Sequence, residues 1–156
     1  MNLTSIKNTI ISLKTTIELQ ELLSSLRVIA ANEKSEEILE IINIALQKSF
    51  DVEDEKTAVD ILELKIKQLF GSKKNMKQIE NDLFLMKHIA NMLDYQEGLI
   101  LAFSIEWGIE RFKGNDKKSL EVLQKSMDLL EKCTNCSCYT YNITRYSYAF
   151  DKWKSY

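Results

Sequence analysis

The sequence predicts an all-α protein, and three observations support this prediction. Proline is absent and glycine occurs only four times in 156 residues, so the chain lacks the turn residues that a β-sheet protein needs. Apolar residues recur at spacings of three and four along most of the chain, which is the period of an amphipathic helix. The helical segments are also similar to one another at an interval of about 40 residues, which is typical of stacked helical hairpins.

Composition is that of a globular protein rather than a disordered or membrane-spanning one. Apolar residues make up 45% and charged residues 28%, and the net charge is −2. Nucleic-acid-binding proteins usually show a basic surplus, so we expect no direct nucleic acid partner. No apolar run approaches the roughly 20 residues that a membrane span requires. Lys7 and Lys14 interrupt the apolar residues of the N-terminus, so no signal peptide is expected and a cytoplasmic location is the default.

Three helices are predicted in the first 50 residues. One apolar stripe covers residues 3–14 and a second covers 16–31. Thr15 and Glu18 have the spacing of a capping box, which favours a break between these two helices, while one uninterrupted helix is the alternative. Ser35 precedes two glutamates and is expected to be the N-cap of the third helix.

Five more helices are predicted after residue 50. Gly71 and Gly114 each follow a helix and precede a polar turn, so both are expected to adopt the left-handed conformation. We expect one helical-repeat domain over 1–156. Its hairpins are predicted at 16–50, 54–93 and 94–133, with a last, unpaired helix over 138–155.

The second helices of the three hairpins align without gaps. Ile38, Ile79 and Leu120 are 41 residues apart (79−38 and 120−79). The same interval separates three further residues, namely Ala45, Met86 and Met127. A single hairpin cannot bury its apolar face, so the copies are expected to stack and share a continuous core.

The central hairpin carries a recognisable residue pattern. Its matching residues are Asp94-Tyr95-Gln96-Glu97-Gly98-Leu99 with Ala102, then Gly114-Asn115-Asp116, Ser119-Leu120, Leu123, Lys125-Ser126 and Leu129. On these residues the hairpin resembles a tetratricopeptide repeat of the longer variety found in bacterial signalling and regulatory proteins. The resemblance implies a right-handed α-α superhelix, a TPR-like solenoid of about seven or eight antiparallel helices. It also implies a non-catalytic protein- or peptide-binding module, a sensory or regulatory domain of a bacterial signalling protein.

Polar residues on the first helices of the hairpins predict a groove for a protein or peptide ligand. In a solenoid these helices stand side by side, so equivalent polar stripes should align on the concave side. An ordinary solvated face is an equally good interpretation. The predicted groove residues are Asp60, Glu63, Lys67, Glu106, Trp107, Glu110, Arg111 and Arg145.

Three cysteines form the one cluster that could carry chemistry: Cys133, Cys136 and Cys138. A closed zinc site needs a fourth ligand, and the only histidine, His88, belongs to another helix. We therefore expect no metal and no cofactor, and interpret the cluster as three reduced thiols. A metal or redox sensor is the less favoured alternative.

The remaining motifs predict no enzyme activity. The sequence contains no phosphate-binding loop and no nucleophile or zinc-protease motif. His88 is interpreted as a partly buried packing residue. The predicted last helix has no second half, so its apolar face would suit either more chain or a second subunit. Homodimerisation through this C-terminal helix is the alternative function.

Overall fold

The computed structural model describes residues 3–32, 35–71 and 75–133. These residues form seven helices and no strand, which confirms the all-α prediction for this part of the chain. The helices are α1 (Leu3–Ser12), α2 (Thr16–Asn32), α3 (Glu36–Asp51), α4 (Glu55–Gly71), α5 (Met76–Met92), α6 (Gln96–Phe112) and α7 (Asp116–Lys132). The predicted last helix over 138–155 lies outside the described residues.

The break between α1 and α2 occurs at the predicted capping box. The N–H of Thr15 donates to Glu18 Oε2 at 3.1 Å, and the N–H of Glu18 donates to Thr15 Oγ1 at 3.3 Å. The N–H of Lys14 also donates to Glu18 Oε2, at 3.0 Å. The hydrogen bond from the N–H of Lys14, followed by one from the Thr15 hydroxyl to Oε2 at 3.0 Å, holds the pKa of Glu18 below its ordinary value. Ser35 caps α3 as predicted, because its hydroxyl accepts the N–H of Ile38 at 3.2 Å.

The chain divides into two compact units, Met1–Leu93 and Asp94–Tyr156. In the first unit α3 packs against α1, α2 and α4, while α4 packs against α2, α3 and α5. In the second unit α6 packs against α7. Neighbouring helices thus pack as in an α-α repeat. The right-handed superhelix, the tetratricopeptide type and the single domain stay predictions.

The core of the first unit is aliphatic, and α4 lies at its centre. Every residue of α4 from 57 to 66 is buried except Asp60. Apolar residues of four helices form one cluster, which includes Ile6, Ile10, Leu19, Leu26, Ile38, Ile42 and Ile61. In the second unit the described core cluster includes Ile100, Leu123 and Leu130.

The repeat is visible in the buried positions of α3, α5 and α7. In α3 these are Ile38, Ile41, Ile42, Ala45 and Ser49. Adding 41 to each gives Ile79, Asp82, Leu83, Met86 and Ala90 of α5, all of which are buried. Adding a further 40 gives Ser119, Val122, Leu123, Ser126 and Leu130, which are the buried residues of α7.

The third copy of the repeat is therefore shifted by one residue from the predicted alignment. Leu120 was matched to Ile79, but it is 38% exposed, whereas Ser119 is only 1% exposed. A serine can occupy this core position because its hydroxyl donates to the carbonyl of Asp116, within its own helix, at 2.7 Å. Matching by apolarity alone selected the wrong neighbour.

Three helix connections share one three-residue turn whose middle residue has a positive φ. The middle residues are Glu53 (57°), Asp94 (49°) and Gly114 (77°). In two of the turns the third residue donates its N–H to a carbonyl five residues earlier, Asp54 to Ser49 at 2.8 Å and Asn115 to Glu110 at 2.9 Å. This is the pattern of a Schellman motif. The prediction for Gly114 is confirmed, while Gly71 is the last residue of α4 rather than the residue after it.

Candidate functional site

The predicted groove residues of α4 form an ion-pair network with α2. Lys67 Nζ lies 2.6 Å from Glu63 Oε1, one helical turn away. Arg27 of α2 approaches both acidic residues of α4, with 3.8 Å to Glu63 Oε2 and 3.9 Å to Asp60 Oδ2. Glu63 is buried among these partners. Sequence reasoning missed Arg27, because only the packing of α2 on α4 brings it to this edge.

The α4 edge is balanced in charge. Its two carboxylates, Asp60 and Glu63, face the two cations Arg27 and Lys67. The side chains of Arg27 and Lys67 are 48% and 45% exposed, so water weakens the attraction between these cations and the carboxylates. The groove prediction treats the charges of α4 as available to a ligand, but in the structure they form ion pairs.

Glu110 of α6 is buried, which differs from the exposed position that the groove prediction assumes. Its side chain is only 4% exposed. Oε2 accepts a hydrogen bond from Asn115 Nδ2 at 2.8 Å, and Oε1 accepts one from Lys118 Nζ at 2.9 Å. The hydrogen bond of Asn115, followed by that of Lys118, holds the pKa of Glu110 below its ordinary value. Helical spacing placed Glu110 in a solvated stripe, but the turn after α6 folds back over it.

The other predicted residues of α6 have separate surroundings. Trp107 is partly buried and packs against the core cluster of the second unit. Arg111 is exposed, with Nη1 3.8 Å from Asp116 Oδ1. Glu106 is partly buried. Arg145 lies outside the described residues. The α4 and α6 residues belong to different compact units, so their predicted common surface stays a prediction.

The outer face of α5 carries apolar side chains in contact with solvent. Phe84 is 71% exposed and Met92 is 74% exposed. His88 lies between them and is also exposed, which corrects its interpretation as a partly buried residue. The rings of Phe84 and His88 stack with an interplanar angle of 5° and centroids 6.4 Å apart. We call Phe84, His88 and Met92 the α5 stripe, since a spacing of four residues aligns them along one face.

The equivalent positions of α3 and α7 are polar. Subtracting 41 from the α5 stripe gives Asn43, Gln47 and Asp51 of α3, and adding 40 gives Gln124, Asp128 and Lys132 of α7. In each helix, one hydrogen bond joins two of these polar side chains, which lie one turn apart. Gln47 Nε2 donates to Asp51 Oδ1 at 3.1 Å, and Gln124 Nε2 donates to Asp128 Oδ1 at 2.7 Å. The repeat thus has a solvated outer face that α5 replaces by apolar groups.

The α5 stripe could have been found from the sequence only with the correct repeat alignment. In isolation α5 has apolar residues on several faces, and Phe84 reads as one more core residue. Its exposure becomes visible when the buried positions of α3 are transferred to α5, because position 84 then falls outside the buried set.

The cysteine cluster is only partly described. Cys133 is disulfide-bonded, which differs from the reduced thiol that was expected. Cys136 and Cys138 lie outside the described residues. Within residues 3–32, 35–71 and 75–133, no group of three or more His, Cys, Asp or Glu side chains could hold a metal ion. The metal or redox alternative is therefore not tested by this structure.

A polar cleft of about 490 Å³ lies on the outer face of α1. Its lining residues are Thr4, Ser5, Asn8, Thr9 and Ser12. Two of the hydroxyls donate hydrogen bonds to carbonyls of their own helix. Thr9 donates to Ser5 at 2.9 Å, and Ser12 donates to Thr9 at 2.8 Å. The cleft is wide open to solvent, and all of the described residues that line it belong to one helix, so we assign it no ligand.

Two further observations concern membrane spans and similarity to known proteins. Among the described helices, none combines the length and apolarity that crossing a membrane requires. Comparisons of this chain with protein-family models, with curated proteins and with solved structures give no match.

Proposed function

We propose that this protein is a non-catalytic, protein-binding helical-repeat module that binds a helix of its partner along the α5 stripe. One observation carries the proposal. Phe84 and Met92 are exposed at positions where α3 and α7 have polar residues, and two of these residues, Asp51 and Gln124, are hydrogen-bonded within their own helix. Large apolar side chains gathered on one exposed face are typical of interaction surfaces.

The geometry of the stripe favours a helical partner segment. Its first and last residues are eight positions apart (92−84), which corresponds to about 12 Å along the helix axis. The stripe is one side chain wide, so it fits the ridge of a second helix lying along α5 rather than a compact small molecule. Fully burying a side chain such as Phe84 or Met92 contributes about 1.5–3 kcal/mol, which is the energy available to such a contact.

The wider setting of the proposal comes from the resemblance of residues 94–131 to a tetratricopeptide repeat. Proteins with such repeats use them to hold other proteins, and those with the longer variety are regulatory proteins of bacterial signalling. We include this setting in the proposal. The charged edge of α4 is a less favoured surface for the partner, because its ion pairs already satisfy one another.

The test is selection of a binding peptide followed by a matched substitution. A displayed library of amphipathic helical peptides is selected against the full chain, and the best peptide is titrated by calorimetry. The double variant Phe84→Gln/Met92→Lys gives α5 the residues that α7 carries at these positions. We expect it to weaken peptide binding by at least about tenfold, from the loss of buried apolar area. The control variant Gln124→Ala/Lys132→Ala changes the equivalent positions of α7 and should leave binding unchanged.

Two outcomes would contradict this proposal. Selected peptides that bind the Phe84→Gln/Met92→Lys variant as tightly as the parent chain would place the binding surface elsewhere. A mass that rises with protein concentration in light scattering, and falls to the monomer value in the same variant, would identify a second copy as the occupant. That result would support self-association, although through α5 rather than through the C-terminal helix.

A further inference from the structure

The buried face of α5 carries a charge, which is unusual for a helix whose outer face is apolar. Asp82 is buried at the interface with α4, where its Oδ1 lies 3.0 Å from Nζ of the equally buried Lys65. The second oxygen, Oδ2, is buried and accepts no hydrogen bond from any described residue. A buried ion pair offsets its desolvation cost only when its remaining hydrogen-bonding capacity is satisfied.

The preceding hairpin has apolar residues at the equivalent positions. Subtracting 41 from Asp82 gives Ile41 of α3, and the offset of 39 between the starts of α2 and α4 (55−16) takes Lys65 to Leu26. Leu26 and Ile41 are both buried in the aliphatic core. The α4–α5 contact therefore contains an ion pair at positions where α2 and α3 place two aliphatic side chains.

The packing of α5 makes this helix sensitive to the replacement of two aliphatic residues by an ion pair. Within the first unit α5 packs mainly against α4, whereas α3 packs against α1, α2 and α4. A weakened α4–α5 contact is thus not compensated by other helices of the unit. Helices with fewer supporting contacts separate at a lower free energy than the global unfolding of their domain.

We infer that the Lys65–Asp82 pair is a built-in weak contact that lets α5 separate from α4 as one element, while α1 to α4 stay folded. The inference concerns the opening of α5 and does not require the proposed partner helix. If that helix exists, the opening gives the α5 stripe freedom to adjust to it.

The test is native-state amide hydrogen exchange, measured residue by residue on the full chain. In the parent protein the amides of α5 should share one opening reaction and exchange faster than the slowest amides of α3. The double variant Lys65→Leu/Asp82→Ile copies the pair of the preceding hairpin. We expect it to slow the exchange of α5 amides by at least about tenfold, because aliphatic replacements of buried ion pairs are commonly stabilising. Exchange in α3 should not change.

The single variant Lys65→Leu should have the opposite effect on the exchange rate of the α5 amides. It leaves the Asp82 carboxylate buried without a cation, so α5 amides should exchange faster than in the parent protein. The control variant Arg27→Gln/Asp60→Asn removes charges from the α2–α4 edge and should leave α5 exchange unchanged. Equal protection of α3 and α5 in the parent protein would overturn the inference. Unchanged or faster exchange of α5 in the double variant would also overturn it, whatever the peptide selection shows.

Discussion

The hairpins α4–α5 and α6–α7 each bury a carboxylate, but they treat it differently. Asp82 lies in the middle of its hairpin, with one oxygen paired to Lys65 and the other without a described partner. Glu110 lies at the turn of its hairpin, where Asn115 and Lys118 bond one oxygen each. The difference teaches that the position of these two carboxylates along their hairpins sets which groups can bond them. Near the turn, a loop residue and the following helix bond both oxygens of Glu110. In the middle of its hairpin, Asp82 receives its one described hydrogen bond from the facing helix.

The largest effect is expected from Asp82→Ala. This substitution leaves the Lys65 ammonium buried without its counter-charge, which should lower the free energy of unfolding of the first unit by about 3–5 kcal/mol. Urea denaturation followed by far-UV circular dichroism measures the loss. Asp82→Asn keeps an acceptor for Lys65 and should lose less. A loss below about 1 kcal/mol is typical of an exposed ion pair. It would mean that the Lys65 ammonium becomes hydrated in the variant, and it would contradict the difference between the two hairpins.

Glu110→Ala should have a smaller effect, on the second unit. It removes the carboxylate that accepts the hydrogen bonds of Asn115 and Lys118, and a hydrogen bond to a charged group contributes about 1.5–3 kcal/mol. Fluorescence of Trp107 reports this unfolding in a Trp153→Phe background. Glu121→Ala removes an exposed carboxylate from α7 and serves as the control, with an expected change within about 0.5 kcal/mol. Equal stability of the two variants would show that the turn does not depend on Glu110.

Gly114→Val tests the backbone of the same turn. A β-branched residue is forced into the left-handed region at a φ of 77°, which should cost about 1–2 kcal/mol. Apart from the two chain neighbours, no heavy atom of the described residues lies within 4 Å of the added Cβ position, so we expect the cost to come from the backbone. Gly114→Asn is the control, because asparagine tolerates this conformation. The same Trp107 assay measures both variants, and equal losses for valine and asparagine would contradict a conformational origin.

The smallest expected effect is the pH dependence of the contribution that Glu110 makes to the free energy of unfolding. Hydrogen bonds to the carboxylate lower its pKa in the folded state from the ordinary value of 4.5. The stabilisation is therefore fully present above that value, and it is lost as the pH falls through the lower folded pKa. The difference in unfolding free energy between the parent protein and Glu110→Gln should be constant above a pH of about 5 and shrink below it. A difference that stays constant down to acid unfolding would exclude this linkage.

Local signals in the sequence predicted most of the helix boundaries. Thr15 with Glu18 marked the break before α2, and Ser35 marked the start of α3, because each bonds within its own turn. Gly114 revealed its positive φ for the same local reason. Glu53 and Asp94 adopt the same conformation without glycine, so residue type gave no sign of their positive φ.

The candidate site was harder to predict, because it depends on packing between helices. Burial of Glu110 follows from residues five and eight positions further along, after a reversal of the chain. Exposure of Phe84 follows from which face of α5 meets α4. Neither property belongs to a residue or its immediate neighbours, so periodicity within one helix could not reveal it.

The shared three-residue turn has a consequence for how such a gene can change. The turns that begin at Val52 and Leu93 are 41 residues apart (93−52), and both place their middle residue in the left-handed region. Unequal recombination between the two coding segments would delete or duplicate one helix pair. Each new junction would still join a helix to a turn of the backbone conformation already found there. Such a chain can lengthen or shorten by a whole helix pair in one genetic event, because the new junction keeps a turn conformation that the protein already has.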